Sequence, residues 1–185
     1  MSIHSLCKPR PSVHAADRRA TVLNLDTFLK GEVNGSDFFE ENYFTHGMLT
    51  LVDRAFRHLG GSGAGSSVFL LSQAMGGGKT HSMIALGLLA RDPALRNKVL
   101  TGDQNPAPAL GPCRVVGFNG RSTDAAGGIW GSIAEQLGKA DQFARYVSPL
   151  LSAPGPEAWK QLLGIRDHCR GGAPQDQAIG DQHCQ

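Results

Sequence analysis

Apolar residues in this chain gather into a few segments whose spacing implies their form. Between Thr45 and Leu59, the residues Met48, Val52, Ala55 and Leu59 fall on one helical face, with Leu51 and Phe56 beside them and Thr45 placed to cap the start. Val68-Phe69-Leu70-Leu71 is an apolar run of strand length. The next apolar segment starts near Gly78 and ends before Pro93. Apart from His81 and Ser82 it is apolar almost all round, the pattern of a helix enclosed by other elements. Pro93 to Leu100 reads as a short helix, and Thr101 to Pro112, with three prolines, as a loop. Arg114-Val115-Val116-Gly117-Phe118-Asn119 reads as a second strand, and Ile129, Trp130, Ile133 and Leu137 then recur at helical spacing up to Gly138. Residues 139–165 read as one or two helices interrupted at Pro154-Gly155-Pro156. Strand, helix, strand, helix in that order predicts an α/β fold, a partial parallel sheet flanked by helices.

The flanks are less regular. Residues 1–20 are polar, carry Pro9 and Pro11, and read as an irregular arm. Thr21 to Phe28 alternates loosely and fits a short strand or a helical turn. Asp37 to Phe44 is aromatic and acidic. Its plain reading is aromatics packed on the core; its functional reading is that Tyr43 or Phe44 lies against an adenine base. Gly60 to Ser67 reads as a connector. After Ile165 the apolar pattern stops, and residues 166–185 have the composition of a disordered tail, with Ile179 as the one aliphatic residue larger than alanine. Three parts follow: an arm and helix over 1–66, a nucleotide-domain core over 67–165, and a hydrophilic tail over 166–185.

The chemistry concentrates between the first strand and its helix. Gln73-Ala74-Met75-Gly76-Gly77-Gly78-Lys79-Thr80 resembles the phosphate-binding P-loop, whose full pattern is G-x-x-x-x-G-K-[ST]. Successive glycines let several N–H groups converge on one spot without a Cβ in the way. The helix that follows adds its free N–H groups and the positive end of its dipole. Gly76, Gly77, Gly78, Lys79 and Thr80 are therefore the candidate nucleotide-binding residues. Lys79 would sit on the β- and γ-phosphates of ATP and the Thr80 hydroxyl on Mg²⁺. Gln73 stands where the pattern has its first glycine. Asn119, Arg121 and Asp124 would lie on the nucleotide side of the sheet, or else serve the turn.

A hydrolase of this kind also needs an apolar strand ending in a carboxylate that holds Mg²⁺ and orients water. No acidic residue after Lys79 follows such a run. The nearest candidate, Val22-Leu23-Asn24-Leu25-Asp26, precedes the glycine turn. Catalytic residues are therefore unassigned, and binding is expected with little turnover. A small P-loop kinase would need acceptor-binding groups that Arg121 and Asp124 alone do not supply.

Composition adds exclusions. A net charge of +2 with no basic run does not support direct nucleic-acid contact. No run approaches the roughly 18 apolar residues of a membrane span, and no apolar leader segment follows Met1. Cys7, Cys113, Cys169 and Cys184 are scattered, which fits reduced thiols in a cytoplasm. His168, Cys169, His183 and Cys184 are too far apart, in a segment without a core, to make a zinc site.

Several stretches together resemble the amino-terminal part of the DUF499 family. They are Ser5-Leu6-Cys7-Lys8-Pro9-Arg10, Phe38-Phe39-Glu40-Glu41-Asn42-Tyr43, Gln73 to His81, Gly128-Ile129-Trp130-Gly131 and Leu150 to Gly155. The resemblance spans residues 5–164. It implies a large AAA+-like ATPase of phage-defence gene clusters, BREX-type systems among them, with other defence proteins as partners. In such proteins the Trp159 region leads into an apolar strand carrying Asp-Glu. Here a hydrophilic tail follows Gly164, so the expectation is a truncated member whose residues 166–185 are not native to the family. The alternative is a non-catalytic remnant or interaction fragment that binds no nucleotide.

Overall fold

A computed structural model of the chain describes residues 23–61, 67–74, 76–120, 127–144 and 154–163. The arm, Arg121, Asp124, the tail and its His and Cys residues lie outside the described residues. The chain divides into two compact units, Met1–Thr123 and Asp124–Gln185.

The first unit is built round one helix. Its elements are α1 (Leu25–Leu29), α2 (Gly35–Glu41), α3 (His46–Leu59), α4 (Lys79–Arg91) and α5 (Pro93–Val99), followed by a 3₁₀ turn over Gly102–Gln104. Local chemistry starts most of them. Asn24 accepts from the Asp26 N–H, Asn34 from those of Ser36 and Asp37, Thr45 from Met48 and Asp92 from Leu95. Pro93 occupies the first turn of α5, where its missing N–H costs nothing.

α4 carries both halves of the core. Ile84, Ala85 and Leu88 pack with Phe28 of α1, Phe38 of α2, Met48 of α3 and Leu95 of α5. Leu89 and Ala90 pack on another side with Val52, Phe56, Leu100 and Ala107. The enclosure expected from its all-round apolar sequence is thus supplied by helices. Its C-terminal carbonyls, which have no partners within the helix, are also taken up. Leu88 O accepts from the Asp92 N–H, Leu89 O from Arg96 Nη1 and Ala90 O from the Cys113 N–H.

This corrects the expected α/β sheet: among the described residues there is no strand. Val68 to Leu71 forms no ladder, and Val68 and Leu70 are 76% and 88% exposed. The segment after Pro112 lies along helices instead. The Cys113 N–H reaches Ala90, Arg91 donates to the Val115 carbonyl, and Gly117 passes the Leu25 and Leu29 side chains. The physical reason is that a strand exists only with a paired neighbour, and a short apolar run does not specify one. Of the Val22 to Asp26 stretch, Val22 lies outside the described residues and Asn24 to Asp26 forms the capped start of α1.

α1 and α4 touch at Gly87. A Cβ placed there would lie 2.4 Å from Phe28 Cζ. The ring has little room to retreat, since Phe28 is buried and the Arg91 guanidinium stands 4.2 Å from its centroid. Gly87→Ala gains about 1 kcal/mol in helix propensity and loses about 1–3 kcal/mol to overpacking. The expected net result is a lower urea midpoint, read by far-ultraviolet ellipticity. A midpoint at or above that of the parent chain would mean that the ring moves aside freely.

The second unit holds α6 (Gly128–Gln136), α7 (Ala140–Phe143) and α8 (Pro156–Leu163). Ala134 and Phe143 form its buried centre. Trp130 and Trp159 close over it edge to face, with ring centroids 5.7 Å apart. Gly127 faces the Gly131 Cα so closely that its Cβ would sit 2.8 Å away, which fixes the tight entry to α6.

Candidate phosphate-binding turn

The five candidate residues form one continuous turn into α4. Gly76 and Gly78 have φ of 81° and 78°, the left-handed region that only glycine enters without strain. Gly77 is required for a different reason. A Cβ there would lie 2.8 Å from Gln73 Cβ and 3.0 Å from the Ala74 carbonyl oxygen. The Gly77 N–H donates to that same carbonyl at 3.1 Å, closing the turn. Each glycine is therefore fixed by geometry.

Gly78 immediately precedes α4 and offers it no side-chain cap. The carbonyl of Gly78 accepts from the Ser82 N–H at 2.9 Å and from Ser82 Oγ at 3.1 Å. That leaves the first N–H groups of the helix, those of Lys79, Thr80 and His81, without intrahelical acceptors. Gly76, Gly77 and Gly78 are exposed, and space is open beyond the Cα of Gly76 and Gly78. Open space beside Gly76 and Gly78 thus adjoins the positive end of a 13-residue helix.

Lys79 folds back over the turn. Its Nζ donates to the carbonyls of Gln73 at 2.7 Å and Ala74 at 3.0 Å. This accounts for Gln73 at the position where the motif has glycine. What the position contributes is a main-chain carbonyl, which every residue has. Its side chain lies over Gly77.

Other expected site residues are placed as follows. Phe44 stacks on Phe39 with parallel rings at 5.3 Å, so its face is already occupied. Phe38 is buried between Phe39 and the His81 ring. Tyr43 is 87% exposed. Asn119 Nδ2 donates to Asp26 Oδ2 at 3.2 Å, joining two residues that the sequence separates by 93 positions. The pairing of Asn42 with His81 gave no signal in the sequence, yet Asn42 Oδ1 lies 2.6 Å from His81 Nε2. Its Nδ2 donates to the Phe38 carbonyl at 2.7 Å, so Oδ1 is the acceptor and His81 Nε2 carries the proton. Among the described residues no group of three or more metal-ligating side chains occurs, and no helix is long and apolar enough to cross a membrane.

Residues 30–107 match the family model of the DUF499 N-terminal domain. Over that span the chain is similar to the DUF499 family. No curated protein and no solved structure matches the chain. The DUF499 segment takes in α2 to α5 and the whole glycine turn. The Asn42–His81 bond and the Lys79 contacts are therefore all internal to it.

Proposed function

We propose that the turn from Gly76 to Thr80 binds the phosphates of a nucleotide, ATP with Mg²⁺. The observation that carries this reading is the turn itself. Three glycines, each required by conformation or space, expose main-chain donors at a helix start, and a lysine ammonium lies across its rim. Lys79 would exchange its two carbonyl partners for phosphate oxygens. The Thr80 hydroxyl, on the first turn of α4, would face a phosphate-bound Mg²⁺, and the metal would neutralise charge between phosphates. The reading is of binding rather than turnover: no side chain is assigned to orient water, and Asp26 is engaged by Asn119. The resemblance to the DUF499 proteins of phage-defence clusters supports a role inside such an ATPase, with other defence proteins as partners.

Titration calorimetry of the purified chain with ATP, with and without Mg²⁺, tests the reading. Saturable binding, strengthened by Mg²⁺ and weakened at least tenfold by Gly77→Ala, is expected. The added methyl meets Gln73 and the Ala74 carbonyl and opens the turn without disturbing the core. A folded sample that takes up no ATP rejects it. The exposed Val68 and Leu70 favour the competing reading, an interaction fragment that associates through apolar surface and binds no nucleotide.

A further inference from the structure

We infer that Tyr43 is the platform for the nucleobase of the bound nucleotide, held beside the phosphate turn by the Asn42–His81 hydrogen bond; the inference rests on the phosphate-binding reading above.

Three observations converge. His81 directly follows Thr80, so its ring leaves the first turn of α4 at the phosphate end. Asn42 grips that ring at 2.6 Å while its amide is tied to the Phe38 carbonyl at 2.7 Å, so both ends of the Asn42 side chain are engaged. Tyr43 is next in the chain, about 3.8 Å on from Cα to Cα. The bond from Asn42 to His81, between positions 39 residues apart, thus ties the residue before Tyr43 to the first turn of α4.

The aromatic residues around it are occupied. Phe38 is buried and Phe44 is stacked on Phe39, whereas Tyr43 is 87% exposed. It is the one aromatic ring among the large exposed apolar side chains of the described residues. A ring presented to water has a face available for stacking, and base–aromatic stacking tolerates any base because every base has a π-face. The larger face of a purine gains more contact. The local charge agrees with this division of labour. α2 brings Asp37, Glu40 and Glu41 into the segment just before Asn42, which disfavours phosphate there but not a neutral base.

The experiment compares two probes, ATP and inorganic tripolyphosphate, which share the phosphates and differ in the base. Tyr43→Ala should weaken ATP about tenfold, within the range of one stacked base, and leave tripolyphosphate unchanged. Tyr43→Phe should bind ATP like the parent chain. Asn42 is a positioning residue. Asn42→Ala should weaken ATP but not tripolyphosphate, and should add little further loss in the Tyr43→Ala background. Equal losses for both probes in Tyr43→Ala, or undiminished ATP binding, overturn the base platform. In either case Lys79→Ala still shows whether the phosphate turn works. If the parent chain binds neither probe, the phosphate reading fails and this inference fails with it.

Discussion

Lys79→Ala is expected to reduce ATP affinity by about a hundredfold or more and to leave the fold intact. The two halves of that expectation come from different contacts. In the free protein the ammonium lies on the carbonyls of Gln73 and Ala74, on an exposed rim. Removing it strands no buried group, since water takes over both carbonyls, so the urea midpoint should hardly move. In the proposed bound state the same ammonium would face a triphosphate that carries several negative charges. Two opposite charges at 4 Å attract by about 4 kcal/mol at the effective dielectric of a protein surface. Giving up two charge-assisted hydrogen bonds offsets part of this. A net contribution near 2.7 kcal/mol corresponds to a hundredfold change in affinity. Lys79→Arg should not rescue binding, because a planar guanidinium cannot take the place of a compact ammonium folded over two adjacent carbonyls. Equal ATP binding by parent and Lys79→Ala would remove the phosphate role from the turn.

The same residues show what the sequence could and could not reveal. Helix boundaries were legible wherever the signal is local. Thr45 caps α3 and α3 ends at Leu59, α4 stops at Arg91 before Pro93, and α6 ends just short of Gly138. Caps, prolines and helical spacing act within a few residues of themselves. The glycine turn was legible for the same reason, because its requirements lie within eight consecutive residues. Val68–Leu71 and Arg114–Asn119 were misread as strands because pairing is a long-range property. Nothing in Val115 announces that Arg91 will take its carbonyl. The Asn42–His81 bond was invisible on the same ground, since its partners are 39 residues apart. The family resemblance supplied the DUF499 assignment but not the helical architecture.

Arg96→Ala should be the most damaging single substitution in the first unit. Nothing in the sequence distinguishes Arg96 from a surface arginine on a short helix, yet it is wholly buried. No carboxylate compensates it among the described residues. Instead Nη1 donates to Leu89 O at 3.1 Å, Nη2 donates to Leu110 O, and the guanidinium sits 5.1 Å from the centre of the Phe56 ring. It therefore satisfies a carbonyl near the C-terminal end of α4, where the helix dipole favours a cation, and pins the loop before Cys113 onto the core. Its Nε has no partner, which is a cost the parent chain already bears. Truncation removes the donor from one buried and one half-buried carbonyl and opens a cavity beside Phe56, a loss of about 3–5 kcal/mol. A domain has only about 5–15 kcal/mol of total stability, so most of it would be spent. Arg96→Met separates the two contributions. It keeps the volume and removes a desolvated charge, but leaves the carbonyls without donors, so it should cost less than alanine and more than nothing. The measurement is urea unfolding followed by far-ultraviolet ellipticity, because both tryptophans, Trp130 and Trp159, belong to the other unit and would not report it. An unchanged midpoint in Arg96→Ala would show that the guanidinium is not the clamp between α4 and the loop.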